Sequence, residues 1–319
     1  VPNSGCGSWL WEPQTTQLVL YSEDFSQYNT GNTPTIEGGF LAPDGTSNAY
    51  KITNSGSSTV YKTVPGISST ATRSVYARSV SGTGTAVLMS YFGNTNNVFT
   101  LTEDWQRFEV NGTTTIPGRG NFYAADFRGS GTLTEYLIWG ANATNDQDYS
   151  TSYIPSNGST VTRNQDVCTN GGSLATINST EGVLYAEIAA LDVDSLGRYI
   201  TINDSVLNSN AIRIFYQSSN TVFFQKYVNG VRTTNLATSS ITKTDFNKIA
   251  IRYNSTDFSV FVNGVNILNN ADTNIISPNT LNVLEFENVI QSPFFGKTKA
   301  LAVWKEALSD SELQSLTTI

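Results

Sequence analysis

Short runs of alternating apolar and polar residues, closed by Gly, Asn, Thr and Asp turns, recur along most of this chain and constrain it to β-structure. The segment 73–80 is the clearest. A period of two puts Val75, Ala77 and Ser79 on one face and Tyr76, Arg78 and Val80 on the other. Comparable runs occupy 50–53, 59–64, 87–92, 98–101, 105–111, 121–127 and 134–139, with 18–21 reading as a short buried strand. A second series follows at 182–191, 198–203, 211–216, 222–228, 248–253, 258–262, 281–286 and 300–304. Within it, Asn229-Gly230 and Asn263-Gly264 sit between apolar alternations, as type I′ hairpin turns require. One helix is predicted, over 309–316, with Ser309 as N-cap, Glu312 closing a capping box, and Leu308 and Leu313 as the hydrophobic staple.

The two series are separated by 139–168, a Ser/Thr/Asn-rich passage without hydrophobic periodicity, as expected of a joint between globular units. The predicted class is all-β: two tandem antiparallel β-sandwiches of jelly-roll type with one short C-terminal helix. The expected boundaries are an irregular segment at 1–17, a first sandwich at 18–155, a linker at 156–171 and a second sandwich at 172–319. Trp9, Leu10 and Trp11 need cover from a neighbouring domain or chain. Trp105 and Trp139 are assigned to the core.

Composition narrows the chemistry. Charged residues make up 14% of the chain, against roughly 25% in an average globular domain. The Gly, Ser, Thr and Asn that replace them suit neutral sugars and crowded extracellular settings, and equally a β-fold rich in turns. Net charge is −8. The cations Lys51, Lys62, Arg73, Arg78 and Arg107 are scattered singly, which argues against a nucleic-acid partner. No apolar run is long enough for a membrane-inserted helix. The chain begins with Val, which reads as a fragment or processed product.

The sequence contains no histidine, which removes His-dependent nucleophilic triads. Glycosidase chemistry needs paired carboxylates. Glu285 and Glu287 share a strand face about 7 Å apart, yet the Glu-x-Asp-x-x-Glu strand of concanavalin-like glucanases is absent, so a solvated strand face is expected and no enzyme activity is predicted. Calcium takes oxygen ligands. Glu23 and Asp24 are the candidates in the first sandwich, and Asp192, Asp194 and Asp204 in the second; exposed acidic turns are the plainer reading.

Sugar binding pairs an aromatic plate with polar neighbours. Tyr76 and Arg78, joined by Tyr91, Tyr123 and Phe127, are the candidates in the first sandwich; Tyr216, Phe224 and Tyr227 are those in the second. Each of these aromatics is also readable as core. Cys6 and Cys168 flank the first sandwich, and either a disulfide clamp or two unbonded thiols fits their positions.

Three stretches resemble a known family. Cys6-Gly7-Ser8-Trp9-Leu10-Trp11-Glu12-Pro13-Gln14-Thr15, followed by Tyr21-Ser22-Glu23-Asp24-Phe25-Ser26, is similar to the start of a module in bacteriophage fibre and appendage proteins. Trp139-Gly140-Ala141, Thr151-Ser152-Tyr153-Ile154-Pro155 and Val161-Thr162-Arg163 resemble its end, although Asn142-Ala143-Thr144 stands where relatives carry Gln-Leu-Glu. Phe295-Gly296-Lys297-Thr298-Lys299 and Trp304-Lys305-Glu306-Ala307-Leu308-Ser309-Asp310 resemble the close of concanavalin A-like, laminin-G-type domains. The resemblance implies a carbohydrate-module-like jelly roll, with a structural Ca²⁺ near its first strand, followed by a lectin-type sandwich. It also implies a non-catalytic appendage on the virion surface that touches host glycans and other virion proteins, often as a homotrimer. A virion spacer without ligand, a polysaccharide-degrading tailspike and a secreted bacterial carbohydrate-binding protein are the alternatives.

Overall fold

A computed structural model describes residues 7–67, 71–90, 97–111, 120–145, 149–168, 171–191, 197–217, 220–289 and 292–319. The chain divides into two compact units, Gln14–Asn164 on the one hand, and Val1–Pro13 with Gln165–Ile319 on the other. The described residues form antiparallel sheets, a short 3₁₀ turn at Phe25–Gln27 and one α-helix, Asp310–Thr317. The all-β architecture with a C-terminal helix is therefore as predicted.

In the Gln14–Asn164 unit a five-stranded sheet runs in the order Gln106–Asn111, Thr72–Ser79, Glu135–Thr144, Ala49–Thr53, Thr35–Phe40. A three-stranded sheet, Asn121–Asp126, Thr59–Thr63, Asn29–Gly31, contributes to the same core. Val75 and Ala77 meet Phe25, Ile52, Val60, Phe122 and Ile138 inside it, while Tyr76 and Arg78 face outward, as the alternation requires. Gly140 carries φ +65° where the ladder between Glu135–Thr144 and Thr72–Ser79 changes register. A side chain there would meet the rings of Tyr76 and Tyr153.

Two expectations fail at the start of the chain. The segment expected to be irregular holds two short strands. Trp9–Trp11 pairs with Gly296–Trp304, and Thr15–Gln17 pairs with Val161–Arg163, which lies inside the expected linker. Strands of three residues are too short to display a period. Leu18–Tyr21 is not a strand, because the buried Gln17 side chain takes over its ladder: Oε1 accepts from the amides of Val19 and Ala143. The strand expected at 87–92 lies earlier, at Gly84–Val87, and residues 91–92 are outside the described set.

In the other unit a six-stranded sheet (Trp9–Trp11, Gly296–Trp304, Gly182–Ala190, Asn247–Tyr253, Phe258–Val262, Val265–Asn270) is layered with a five-stranded one (Val231–Thr238, Val222–Val228, Ala211–Tyr216, Arg198–Asn203, Val283–Glu285). Leu184, Ile188, Ile249, Ile251 and Val260 from the first meet Ile200, Ile202, Ile212, Ile214, Val222 and Phe224 from the second. Trp11 stacks on Phe286 at 4.8 Å, so this unit supplies the cover that Trp11 needs, while Trp9 stays 70% exposed. The helix caps the other face of the six-stranded sheet, with Leu308 and Leu313 against Val183, Ala250 and Phe261. Its Ser309–Glu312 capping box is present as predicted. Asn229, Gly230, Asn263 and Gly264 all have positive φ, as type I′ turns demand.

Candidate functional site

The inward residues of the second unit's five-stranded sheet fix what its outer face must carry. With Ile200, Ile202, Ile212, Ile214, Val222 and Phe224 in the core, their strand neighbours point the other way. Strand register then lines these neighbours up in rows. One row is Tyr199–Phe215–Phe223–Ala237 and the next is Glu285–Thr201–Arg213–Gln225–Asn235. In the first row the Tyr199 and Phe215 rings stack at 4.3 Å with 4° between planes, and Phe223 follows at 5.6 Å. All three rings are half-buried. Gly197 makes room for this stack, since a Cβ there would lie 2.5 Å from the Phe215 ring.

The second row is a line of hydrogen-bonding groups. Asn203 Nδ2 donates to Glu285 Oε1 (2.6 Å), which also accepts from the Val289 amide (2.8 Å). Gln225 Nε2 donates to Asn235 Oδ1 at 2.9 Å, and Asn235 is exposed. Arg213 is buried, with its Nη1 donating to Asn208 Oδ1 at 2.8 Å. Burial pushes its pKa down, and nearby Tyr227 and Tyr199 work against that shift. Thr201, Arg213, Gln225 and Glu285 are buried and Asn235 is exposed, so the surface offered is the half-buried aromatic band with Asn235 at its side, which suits a ring that is apolar on its face and hydroxylated at its rim.

Glu285 and Glu287 do not form the solvated strand face that was expected. Both are buried; Glu285 is held by Asn203 and Val289, and burial followed by the Glu285 charge raises the pKa of Glu287. They do not present two free carboxylates to a cleft.

The aromatic and cationic candidates of the first unit do not come together as one site. Tyr76 and Arg78 share the outer face of its five-stranded sheet. The Tyr76 ring, however, packs edge-on against Trp139 (5.3 Å) and Tyr153 (6.5 Å), with the Arg107 guanidinium 5.8 Å away. It is one member of a packed cluster. Arg78 lies 5.6 Å over Trp105, which is half-exposed instead of in the core. Trp139 is buried, though on this outer side, with Nε1 donating to Asn48 Oδ1 at 2.8 Å. Tyr123 belongs to the three-stranded sheet, beside Tyr61 (5.1 Å) and under Arg128 (4.7 Å). Phe127 packs on Tyr136 at 5.2 Å. Tyr91 lies outside the described residues.

Glu23 and Asp24 do come together. With Asn48, Tyr50, Ser156 and Asn157 they line a pocket of about 270 Å³. Glu23 accepts from Tyr153 Oη (2.8 Å) and Asn48 Nδ2 (2.7 Å). Burial acts to raise the Asp24 pKa, but hydrogen bonds from Ser26 and Tyr50 outweigh it and hold the carboxyl below its ordinary range. Calcium asks for six to eight oxygens. Here both Glu23 oxygens and Asp24 Oδ1 already accept bonds from the protein, and those donors would have to turn away. No group of three or more His, Cys, Asp or Glu side chains disposed for a metal occurs among the described residues. Asp204 accepts from Asn210 Nδ2, while Asp192 and Asp194 lie outside the described residues. So does Cys6, and with it the pairing to Cys168.

Phe215 and Phe223 escaped the sequence reading by one position, and Tyr199 was not singled out. Tyr216 and Phe224, singled out in their place, are 2% and 0% exposed and belong to the core. Apolar residues on both faces of 211–216 and 222–228 hide the parity. The isoleucines at 212 and 214 are the signal that resolves it, because they claim the inner face and send Arg213 and Phe215 outward.

Residues 188–314 match the Laminin_G_3 family profile, described as the concanavalin A-like lectin/glucanases superfamily. No curated protein matches the chain. Among solved structures, the Ruminococcus gnavus IT-sialidase CBM40 bound to alpha2,3 sialyllactose is 15% identical, covers 43% of this chain and 83% of its own, and gives a TM-score of 0.36. The heptameric SAP-like pentraxin of Limulus polyphemus is 13% identical, with coverages of 46% and 73% and a TM-score of 0.38. The family match falls in the unit that carries the aromatic and polar rows, and there the chain resembles concanavalin A-like lectins and glucanases.

Proposed function

We propose that this chain is a non-catalytic glycan-binding protein and that sugar docks on the outer face of the five-stranded sheet of the second unit. The observation that carries the reading is the half-buried Tyr199–Phe215–Phe223 band with the exposed Asn235 one row away and the buried Arg213 and Gln225 beneath. A pyranose presents an apolar face to such a band and its hydroxyls to a polar group at the rim such as Asn235. The lectin-type family match of residues 188–314 supports the same unit. The motifs shared with phage fibre proteins support the finer part of the proposal: a segment of a virion appendage, displayed on the outside of the particle, homotrimeric, and contacting host-surface glycan.

The test is a glycan array probed with the native chain and with Phe215→Ser, each with Ca²⁺ and with EDTA. Selective binding lost in Phe215→Ser is expected. Binding that survives Phe215→Ser but fails in Tyr76→Ala would move the site to the first unit. A folded chain that binds no glycan would favour the virion-spacer reading. Dependence on Ca²⁺ would bring Glu23 and Asp24 into the account.

A further inference from the structure

Arg213 is buried, with one side of its guanidinium held by rings and no carboxylate in direct contact among the described residues. The side chain is 1% exposed, and Nε and Nη2 have no acceptor in hydrogen-bonding geometry among the described residues, although the Tyr227 hydroxyl and the Asp204 charge both act on the guanidinium. Only Nη1 is anchored, by Asn208 Oδ1 at 2.8 Å. The flat guanidinium lies 4.2 Å from the Tyr227 ring centroid and 5.9 Å from that of Tyr199. A buried guanidinium stays charged, and here Tyr227, Tyr199 and Asp204 offset only part of its burial, so its pKa is still pushed down.

The two open groups have a definite shape. Nε and Nη2 form the side-on fork of an arginine, whose parallel N–H bonds match the two oxygens of a carboxylate. The fork lies in the polar row, next to the ring of Tyr199 in the aromatic row. A sugar stacked along that band would have its ring substituents on the side where the fork lies. Tyr227 covers the guanidinium from the end of its strand, just past a register shift and two residues before the Asn229-Gly230 turn. Arg232, its cross-strand partner, adds exposed positive charge in a chain of net charge −8.

We propose that the ligand is an acidic glycan, and that a sugar carboxylate displaces the Tyr227 cover and binds Nε and Nη2 of Arg213 side-on. The proposal rests on the glycan-binding reading and names its ligand class.

The experiment is an array of uronate- and sialate-containing oligosaccharides printed beside their carboxyl-reduced forms. Affinity is expected to fall at least tenfold on carboxyl reduction and to weaken with added salt. Arg213→Gln should bind acidic and reduced forms alike. Equal binding of both forms by the native chain overturns the proposal, as does an acid preference that survives in Arg213→Gln. Binding of neutral glycans alone, lost in Phe215→Ser, sinks the ligand class and leaves the docking face standing. No binding at all sinks both. Should Arg213→Gln not fold, the ¹⁵Nε resonance of Arg213 in the native chain decides. A shift with the best-bound acidic oligosaccharide and none with its reduced form supports the fork, and an unmoved resonance overturns it.

Discussion

Tyr199 and Phe215 sit opposite one another on neighbouring strands, with ring centroids 4.3 Å apart and planes 4° from parallel. Phe223 extends the stack on the next strand at 5.6 Å. A half-buried stack contributes modestly to stability, about 1 kcal/mol per aromatic pair beyond area burial. Ligand contact is the larger stake. Phe215→Ala should therefore cost only about 1–2 kcal/mol in urea unfolding while lowering glycan affinity at least tenfold. A large stability loss with unchanged affinity would make the stack structural.

Gln17 shows how side chains can replace ladder bonds. It is fully buried and makes four hydrogen bonds: Nε2 donates to the Ala141 and Ile154 carbonyls, and Oε1 accepts from the Val19 and Ala143 amides. Removing it strands four buried backbone groups, each worth about 1 kcal/mol or more. Gln17→Ala should destabilise the first unit by about 3–5 kcal/mol, read from its denaturant midpoint. A loss below 1 kcal/mol would mean that water or a local shift repairs the gap.

The period of two made the class and most strands of the fold legible, because one buried face dictates alternation. Where both faces are apolar, as at Phe215-Tyr216 and Phe223-Phe224, the period leaves two parities and the outward aromatics were missed. Trp9–Trp11 escaped because its pairing partner, Gly296–Trp304, is nearly three hundred residues away in sequence. The packing of Tyr76 was hidden for a similar reason. Its walls, Trp139 and Tyr153, come from other segments. The Glu23–Asp24 pocket was half legible, since Asn48 and Asn157 close it from afar.

Asp272 sets an acid limit on the second unit. Its Oδ2 accepts from Thr233 and Thr234 and lies 3.5 Å from Lys226 Nζ. Burial alone would raise its pKa, but donors including Thr234 and Asn274 bring it down to about 2. The unfolded value is about 3.9. A depressed carboxylate pKa adds stability that is present above the unfolded pKa and is lost as pH falls through the folded one. The contribution, on the order of 2 kcal/mol, should therefore decline between about pH 4 and pH 2. Asp272→Asn should be less stable at pH 7 and show a flatter acid limb in urea titrations. Parallel limbs in the two proteins would remove Asp272 from this role.

Trp11 and Cys168 line one pocket of about 520 Å³ together with Phe286 and Leu301. Burial, then the charges of Glu285 and Glu287, push the Cys168 thiol pKa up, so little thiolate is present near neutrality. Trp11, stacked on Phe286 at 4.8 Å, forms a wall of the same pocket and narrows the approach to the half-buried thiol. In a Cys6→Ser background, Cys168 should react slowly with a disulfide reagent at pH 8. Trp11→Ala should speed that reaction at least tenfold and cost about 2 kcal/mol of stability, within the range for truncating a partly buried aromatic. Both readouts follow from one cause, the docking of Trp9–Trp11 on the edge of the six-stranded sheet. Fast labelling of the parent protein, unchanged by Trp11→Ala, would show that this short strand does not guard the thiol.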